Sequence, residues 1–414
     1  MNAERLYTTQ DSDIIAARSA DVTLDLSRHA AQNKPVGIRQ TKHGFLFGSN
    51  AFPAVPLANG MPAGEARDRA QKTTDLMLEI CNFATLPFYW GGFEPEEGKP
   101  HTTALLNAAK MLKERGATVK GHPLCWHTLC VPWLMKYSNK EILQKQLERI
   151  VRDVDDFKGI IDMWDVVNEA VIMPIFDKYD NAITRVCNEI GRIPLIRKTF
   201  ETARTTSPGA TLILNDFDYT EPYEILIEGC LEAGIPIDVI GIQSHMHQGY
   251  WGVEKTVKIL ERYERFGLPI HFSETSIISG DLMPEHIVDL NDWQPDSWPS
   301  TPEGEARQAE EVALHYRTLF SRPLVQGLTW WDFPDGQWLK APSGLVRADN
   351  SIKPVYTALK NLIKDEWWGH EKTLKANDKA QVSFKAFPGD YEAIVDGQAI
   401  KFTIPGKGAF SQSL

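Results

Sequence analysis

The sequence predicts an α/β fold, a (β/α)8 TIM barrel with a small β-rich appendage formed by the N- and C-terminal segments. Three observations predict this class. Short apolar runs alternate with amphipathic helical stretches, the runs are apolar on both faces like buried parallel strands, and both chain ends change to an alternating strand pattern. The 414 residues are enough for a barrel of about 250 residues with additions.

Eight apolar runs are typical of the barrel strands. They are residues 44–48, 80–86, 118–126, 161–168, 211–215, 239–244, 269–273 and 325–331. Amphipathic stretches predict helices between them at 102–115, 140–156, 193–205, 253–266 and 303–320. Gly116, Gly234 and Gly267 stand where helices should end, because a left-handed C-cap favours glycine. Eight strand–helix alternations favour a closed barrel over an open sheet.

The two chain ends have a different pattern from the middle. Residues 22–26 alternate as a strand and are followed by a turn near Asn33, while residues 381–404 contain short strands separated by turn dipeptides. We expect an N-terminal β segment at 1–43, a catalytic barrel at 44–365 and a C-terminal β segment at 366–414. The two end segments are predicted to pack together, and the alternative is two independent hairpins at the edges of the barrel.

The composition excludes several classes of function. A net charge of −11 argues against nucleic acid, because no basic patch is available for a phosphate backbone. The same charge fits a neutral substrate, since an anionic one would be repelled. The 12 tryptophans are numerous, and such rings line a core or stack on a flat ligand. No apolar run reaches the roughly 18 residues that span a membrane.

The cysteines and the amino terminus bear on the cellular compartment. The five cysteines are scattered without close spacing, which predicts buried free thiols rather than a disulfide framework. Residues 1–6 lack the apolar stretch of a signal peptide. We therefore expect either a cytoplasmic protein or one whose leader is absent from this sequence.

Polar and aromatic side chains gather at the carboxyl ends of the predicted strands, where barrel enzymes place their reactive groups. They are His122, Trp126 and His127 after the third strand, Asn168 and Glu169 after the fourth, Asn215 and Asp216 after the fifth, Gln243, His245 and His247 after the sixth, Glu274 after the seventh, and Trp330, Trp331 and Asp332 after the eighth. Two glutamates that end strands of one barrel fit the acid/base and nucleophile of a retaining glycoside hydrolase. A structural ion pair is the alternative for each.

Six segments together carry a family resemblance. They are residues 121–127 (Gly-His-Pro-Leu-Cys-Trp-His), 164–169 (Trp-Asp-Val-Val-Asn-Glu), 214–217 (Leu-Asn-Asp-Phe), 241–245 (Gly-Ile-Gln-Ser-His), 272–274 (Phe-Ser-Glu) and 327–331 (Gly-Leu-Thr-Trp-Trp). In this order they resemble glycoside hydrolase family 10, the endo-β-1,4-xylanase family, over residues 44–363. The resemblance implies a retaining endo-acting β-glycosidase that hydrolyses β-1,4-xylan-type polysaccharide, and a secreted or periplasmic location if a leader was removed.

The resemblance also implies roles for individual residues. Glu169 is the general acid/base, Glu274 is the nucleophile, and Asn168 binds the 2-hydroxyl of the sugar in subsite −1. The supporting or substrate-binding set is Trp90, Tyr89, Trp126, His127, Asn215, Gln243, His245, Trp330, Trp331 and Trp338. Within it His245 orients the nucleophile, His127 faces the −1 sugar, and either Trp330 or Trp331 forms the platform under the ring. His122 is expected to support the barrel interior.

Four positions depart from the family pattern. Most members carry an Asn and a Lys after the second strand that hold the glycone sugars, whereas this chain has Leu86 and Tyr89 there. Leu129 replaces a usual Gln, and Ser276 replaces a usual Asp two residues after the nucleophile. These changes predict an altered glycone site, in which Phe88 and Tyr89 form a stacking surface. A site that lacks a hydrogen-bond partner can discriminate strongly between sugars.

The sequence leaves two alternatives to xylan hydrolysis. One is a related hydrolase of a different or decorated β-glycan or glycoconjugate, and the other is a carbohydrate-binding protein without catalysis. We predict no cofactor and no metal, since His245 and His247 lack zinc-hydrolase spacing and no Gly-rich phosphate loop precedes a helix. The predicted partner is a polysaccharide or oligosaccharide substrate, with no nucleic acid and no membrane, and we expect a monomer.

Overall fold

The computed structural model describes residues 11–414 and contains fifteen strands. In chain order they are β1 (Ala20–Asp25), β2 (Pro35–His43), β3 (Leu46–Asn50), β4 (Phe83–Pro87), β5 (Thr118–His122), β6 (Met163–Asn168), β7 (Thr211–Asp216), β8 (Val239–Met246), β9 (Ile270–Ile277), β10 (Val325–Trp330), β11 (Lys372–Lys375), β12 (Gln381–Ala386), β13 (Gly389–Val395), β14 (Gln398–Ile404) and β15 (Gly408–Ser413).

Twelve α-helices accompany these strands in the described part of the chain. They are α1 (Asp11–Arg18), α2 (Ala54–Ala58), α3 (Glu65–Ile80), α4 (Trp90–Phe93), α5 (Thr102–Glu114), α6 (Asn139–Asp156), α7 (Ala182–Ile190), α8 (Arg192–Thr206), α9 (Glu221–Glu232), α10 (Gly252–Glu264), α11 (Pro302–Phe320) and α12 (Pro354–Asn361). A π-helical turn, Leu362–Glu366, follows α12. The five helices expected from amphipathic patterning are confirmed as α5, α6, α8, α10 and α11.

Eight parallel strands close into a barrel in the order β10-β3-β4-β5-β6-β7-β8-β9. They correspond to the eight predicted runs, so the predicted (β/α)8 class is confirmed. β9 is buried along its whole length, and both faces of the short strands are covered, as parallel sheets require. Closure brings the carboxyl ends of all eight strands to one rim, although the first and last lie about 280 residues apart in the chain.

Local signals set the ends of the barrel helices. Gly116, Gly234 and Gly267 have φ of 91°, 70° and 70° after α5, α9 and α10. This is the left-handed conformation that glycine adopts without a Cβ penalty. α6 begins at a capping box, in which the Ser138 side chain accepts from the Glu141 backbone and the Glu141 side chain accepts from the Ser138 backbone. Within residues 11–414, no helix is both long and apolar enough to cross a bilayer.

The terminal segments form two small sheets that share one core. One sheet has the order β12-β1-β15 and the other the order β11-β2-β13-β14. β1 pairs antiparallel with β12 and parallel with β15, so the N-terminal strand lies between two C-terminal strands. The prediction of a joint β-rich appendage is therefore confirmed, and the alternative of independent hairpins is wrong.

The appendage is anchored to the barrel by Arg18 and by an aromatic cluster. The Arg18 guanidinium donates to the carbonyls of Phe320 and Arg322, each at 2.6 Å, and burial lowers its pKa to about 10. The His43 ring at the end of β2 packs 5.7 Å from both Phe320 and Phe387. These contacts join residues near both chain ends to the C-terminal end of α11. This lies at the opposite end of the barrel from the carboxyl ends of the strands.

The appendage core should be sensitive to a single truncation. Leu24 is fully buried in β1 among residues of both terminal sheets. We expect Leu24→Ala to lower the free energy of unfolding by about 2–5 kcal/mol, because a buried Leu→Ala change loses transfer free energy and leaves a cavity. Denaturant titration followed by circular dichroism measures this change. Asp21→Ala on the same strand is the control, since its ion pair with Lys385 is exposed. Equal effects of the two substitutions would contradict a shared apolar core.

Candidate active site

Four neighbouring strands, β6 to β9, supply one polar wall at the carboxyl rim of the barrel. Asn168 ends β6, Asn215 lies near the end of β7, Gln243 and His245 lie on one face of β8, and Glu274 lies in β9. Glu169 follows Asn168 directly. Because these strands are adjacent in the barrel, residues spread over more than a hundred positions in the sequence meet at one place.

Glu169 has a strained backbone that aims its carboxyl group. Its φ is 55°, which is uncommon for a residue with a Cβ and is a mark of functional sites. Its N–H donates to the Asn215 carbonyl at 2.8 Å, which fixes the turn at the strand end. The Trp126 indole Nε1 then donates to Glu169 Oε2 at 2.8 Å. The carboxyl group is thereby held between β6 and the loop after β5.

Three side-chain amides connect the two glutamates. Asn215 Nδ2 donates to Glu274 Oε1 at 3.0 Å and to Asn168 Oδ1 at 2.7 Å. Gln243 Nε2 donates to the same Asn168 oxygen at 3.2 Å and to Glu169 Oε1 at 3.3 Å. The Asn168 oxygen is thus shared by both amides, and its own Nδ2 keeps its donor capacity for a ligand. Glu169 and Glu274 therefore belong to a single hydrogen-bonded network.

Nitrogen atoms with positive or partial positive charge surround Glu274. His245 Nε2 lies 3.2 Å from Glu274 Oε2, and His122 Nε2 lies 3.7 Å from Oε1. Beneath them His122 Nδ1 contacts Asp165 Oδ2 at 2.7 Å. The Lys120 ammonium, also fully buried, lies 2.6 Å from that same Asp165 oxygen. A buried chain of alternating basic and acidic side chains therefore runs from the barrel interior to Glu274.

The two glutamates have opposite pKa shifts. Burial raises the pKa of Glu169 to about 8, the neighbouring charge of Glu274 adds to that rise, and the Trp126 N–H opposes it. Burial also acts to raise the pKa of Glu274, but the charges of His122, His245 and Lys120 outweigh it and bring that pKa below its usual 4.5. Near neutral pH one carboxyl is protonated and the other is ionised. Such a pair can donate a proton and attack with a carboxylate at the same time.

Ser276 couples His245 to a second, buried histidine. Its hydroxyl lies 3.0 Å from His245 Nδ1 and 3.0 Å from His247 Nε2. Burial keeps the pKa of His247 well below 6.5, so that ring is neutral. Because Ser276 offers a neutral hydroxyl, the second hydrogen bond of His245 has no anionic partner.

Aromatic rings pack beside the polar wall at the same rim of the barrel. The Trp331 ring lies 5.4 Å from His122, 5.8 Å from Phe52 and 6.3 Å from His245. Tyr89 lies 5.6 Å from both His122 and Trp126. The Trp338 ring lies 4.6 Å from His245. Trp331, Tyr89 and Trp338 therefore border the two glutamates, as a platform for a sugar ring must.

Three members of the expected set lie away from the carboxylates. Trp330 is fully buried and its indole donates to the Ser343 carbonyl, so Trp331 is the one of the pair that faces the cleft. Trp90 donates to Glu94 and packs under Arg149 in the core. His127 packs 4.6 Å from Phe176, behind Trp126, rather than against Glu169 or Glu274.

Two neighbouring predictions are also changed by the structure. Phe88 is fully buried against Phe157 and Trp164, so the stacking surface expected from Phe88 and Tyr89 consists of Tyr89 alone. Successive residues of an extended chain point to opposite sides, which explains the difference between them. His122 lies beside Glu274 and bonds Asp165, so it serves the site as well as the barrel interior.

Sequence reasoning missed several residues that act on the site. Lys120 and Asp165 lie inside apolar strands, and a charged residue in such a run was the available signal. Asn50, at the end of β3, donates to Asp332 Oδ1 at 3.3 Å. Across residues 11–414, no group of three or more His, Cys, Asp or Glu side chains is arranged to hold a metal ion.

The family assignment rests on comparison with known proteins. The model of "Glycosyl hydrolase family 10" matches residues 87–362, more than half of the chain. The chain belongs to glycosyl hydrolase family 10. It is therefore a glycoside hydrolase, and the paired carboxyls at the barrel rim lie where such an enzyme keeps its reactive groups.

Family 10 relatives are similar at low identity. Endo-1,4-beta-xylanase B of Thermotoga neapolitana is 26% identical over 349 residues, which cover 77% of this chain and 94% of that protein. Endo-1,4-beta-xylanase A of Caldicellulosiruptor saccharolyticus is 28% identical over 291 residues, covering 65% and 80%. The chain spans 42% of the Endo-1,4-beta-xylanase/feruloyl esterase of Xylanibacter ruminicola.

Solved structures agree with the barrel fold. Xylanase 10B from Thermotoga petrophila RKU-1 in complex with xylobiose superposes with a TM-score of 0.63 at 22% identity, covering 78% of this chain and 95% of that one. Native xylanase 10B from Thermotoga maritima gives a TM-score of 0.62, also at 22% identity.

The pH dependence of activity should report the two glutamates. We expect kcat/KM to fall on the alkaline side with a pKa of about 8, as Glu169 loses its proton, and on the acid side below 4.5, as Glu274 gains one. Trp126→Phe should move the alkaline limb to higher pH, because the lost indole N–H stabilises the ionised form of Glu169. Steady-state kinetics from about pH 2.5 to about pH 10, with enzyme stability checked at each pH, measure both limbs.

A matched control separates this effect from a general loss of tryptophan. Trp368→Phe removes an indole that packs under Lys364, far from the rim of the barrel. Its pH profile should equal that of the unmodified enzyme. An alkaline limb that stays in place in the Trp126 variant would show that this hydrogen bond does not govern the acid/base.

Proposed function

We propose that the protein is a retaining endo-acting β-glycosidase that hydrolyses β-1,4-xylan-type polysaccharide through a covalent glycosyl-enzyme intermediate. One observation carries the proposal. The pKa of Glu169 is raised to about 8 while that of Glu274 is lowered, within one amide network. Double displacement needs one protonated and one ionised carboxyl beside the same glycosidic bond.

The first step forms the covalent intermediate. Glu274 attacks the anomeric carbon, the bond to the leaving oxygen breaks, and Glu169 transfers its proton to that oxygen. His245 and His122 flank the Glu274 carboxylate and keep it ionised until it attacks. When the negative charge of Glu274 disappears into the new ester bond, the repulsion that raises the pKa of Glu169 disappears with it.

The second step releases the sugar. Glu169, now a stronger acid and ionised, takes a proton from water, whose oxygen attacks the anomeric carbon and displaces Glu274. The same residue thus serves as acid and then as base, because the charge of its partner changes between the two steps. Two inversions at one carbon return the original β configuration.

The remaining groups of the site fit roles toward the −1 sugar. The Asn168 oxygen is occupied by Asn215 and Gln243, which turns its Nδ2 into the available donor for the 2-hydroxyl. That hydrogen bond strengthens as positive charge develops on the sugar ring. Trp331 offers an apolar face beside His122 and His245, and C–H faces of pyranoses pack on such rings.

Relatives named endo-1,4-β-xylanase support xylan as the substrate. A second candidate is a different or decorated β-glycan or glycoconjugate. It is favoured by the glycone side of the cleft, where Leu86 and Tyr89 replace the Asn and Lys of most members. Leu86 is fully buried and offers no hydrogen bond to a sugar.

Removal of the nucleophile gives a diagnostic product. We expect Glu274→Ala to lower hydrolysis of an aryl β-xylobioside at least a thousandfold, because double displacement loses its first bond-forming group. Added azide should restore turnover, attacking from the vacated face and giving the α-glycosyl azide, which proton NMR identifies. A variant that keeps normal turnover, or yields the β-azide, would remove Glu274 from the nucleophilic role. Glu285→Ala, on the loop after β9, is the control.

A panel of β-linked polysaccharides tests the substrate. We expect reducing ends to appear from β-1,4-xylan, with mass spectrometry showing internal cleavage products. Release from a decorated or mixed-linkage glycan at a higher rate than from xylan would favour the second candidate. Binding of xylo-oligosaccharides without any cleavage would instead indicate a carbohydrate-binding protein.

A further inference from the structure

A polar corner lies at the barrel rim where β3, β4 and β10 end, next to the polar wall formed by β6 to β9. We call Asn50, Thr85, Tyr89 and Asp332 the β3–β10 corner. These residues come from three adjacent strands of the barrel. Asn50, Thr85 and Asp332 are at most 3% exposed, yet all carry polar side chains.

Two hydrogen bonds and a left-handed backbone fix the position of Asp332 at the end of β10. Its φ is 70°, in the left-handed region, directly after the buried strand β10. Its Oδ1 accepts from Asn50 Nδ2 at 3.3 Å and its Oδ2 from the Trp338 backbone N–H at 2.7 Å. Strain of this kind persists where the surroundings fix a residue for function. Burial raises the pKa of Asp332 to about 6, and the two hydrogen bonds and the nearby His245 oppose that rise. Above about pH 6 a carboxylate is therefore held at this rim, with no salt bridge to a Lys or Arg of residues 11–414.

Two buried acceptors in the corner have no partner among residues 11–414. They are Asn50 Oδ1 and Thr85 Oγ1, and their residues are directly paired in the β3–β4 register. Buried polar groups in proteins are nearly always hydrogen-bonded, and an orphaned group requires an explanation. Neither atom is exposed in this structure, so a ligand hydroxyl would supply the missing bonds by displacing the side chains that cover them.

Tyr89 lies between the other residues of the corner and the catalytic pair. Its ring is 5.6 Å from His122 and 6.0 Å from Phe52, and Phe52 is 5.8 Å from Trp331, the residue before Asp332. Burial raises the pKa of the Tyr89 phenol well above 10, and the charges of Glu274, Asp332 and Glu169 each add to that rise. The phenol therefore lies within electrostatic reach of both the corner and the catalytic pair. Trp331, the residue before Asp332, packs against His122 and His245 on the same side.

We propose that Asn50, Tyr89 and Asp332 form a glycone-binding subsite that takes hydroxyl groups of a neutral sugar and rejects a glycone carrying a carboxylate. This inference rests on the proposed function and names its specificity. The site holds more acceptors than donors, so it fits sugar hydroxyls, which donate. Charge-assisted hydrogen bonds to Asp332 are stronger than neutral ones, and an anionic branch would meet like charge in a buried place.

The corner supplies polar groups beside Leu86 and Tyr89, the two positions that depart from the family pattern. Tyr89 carries no positive charge, so it does not neutralise Asp332. Asn50 on β3 presents an amide one strand away from Leu86 on β4. The proposed subsite therefore contains a carboxylate, an amide and a phenol, and no ammonium group.

The competing explanation is structural, because Asp332 holds the loop that carries Trp338. Asp332→Asn separates the two roles, since an amide oxygen still accepts the Trp338 N–H but carries no charge. The test compares kcat/KM for xylotetraose and for xylotetraose with a glucuronic acid branch on its glycone half. Asp349→Asn, an exposed carboxyl that bonds Ser351, is the control and should change neither value.

We expect the unmodified enzyme to prefer the neutral substrate at least tenfold. Asp332→Asn should lower kcat/KM on xylotetraose about tenfold, the effect of losing one hydrogen bond to a charged group, and leave or raise kcat/KM on the branched substrate. Tyr89→Phe should lower kcat/KM on xylotetraose and leave kcat/KM on the branched substrate unchanged. An equal loss of kcat/KM on both substrates would show that Asp332 only holds the loop, and it would overturn the subsite. An Asp332→Asn variant with unchanged kcat/KM would also overturn it. So would an unmodified enzyme that prefers the acidic substrate.

Failure of the proposed function gives a different result. If the enzyme cleaves neither substrate, calorimetric titration with xylobiose, cellobiose and glucuronic acid still tests the corner. Neutral-selective binding that weakens about tenfold in Asp332→Asn would uphold the subsite while rejecting xylan hydrolysis. Equal binding by both forms of the protein, with the cleavage assay negative, would reject both.

Discussion

The chemistry of this enzyme depends on keeping two identical carboxyl groups in opposite protonation states. The Asn168 oxygen stands between them, accepting from Asn215 on the Glu274 side and from Gln243 on the Glu169 side. Amides carry no charge, so they hold both carboxyls without neutralising either. The difference in pKa then comes from burial and the charge of Glu274, which raise the pKa of Glu169, and from His122, His245 and Lys120, which lower the pKa of Glu274.

The buried pair of Lys120 and Asp165 continues the charged groups of the site into the barrel interior. A charged pair in such a place costs desolvation free energy and is weak evidence for stability. Its value lies in its position, because Asp165 bonds His122 and His122 lies next to Glu274. Charged residues of the barrel interior thus help to lower the pKa of Glu274.

The glycone side shows how one fold can keep its reaction and change its recognition. The strands β6 to β9 carry both glutamates and the amides that join them. The strands β10, β3 and β4 carry a phenol, an amide and a carboxylate with positive φ at their ends. Because reaction and recognition use side chains from different strands, substitutions on β3 and β4 can change sugar recognition while the catalytic pair is kept.

The sequence by itself determined the order of strands and helices, the barrel class and the position of both glutamates at or near the carboxyl ends of barrel strands, although β9 continues past Glu274 to Ile277. These follow from local patterns, apolar runs and helix-ending glycines, which act within about ten residues. The tertiary structure alone decided which of Trp330 and Trp331 faces the cleft, that His127 and Trp90 lie away from it, and that Asn50 meets Asp332 across 282 positions. Those outcomes depend on how the barrel closes and on the direction in which each side chain points at the end of its strand. Neither can be predicted from the residues next to it in the chain.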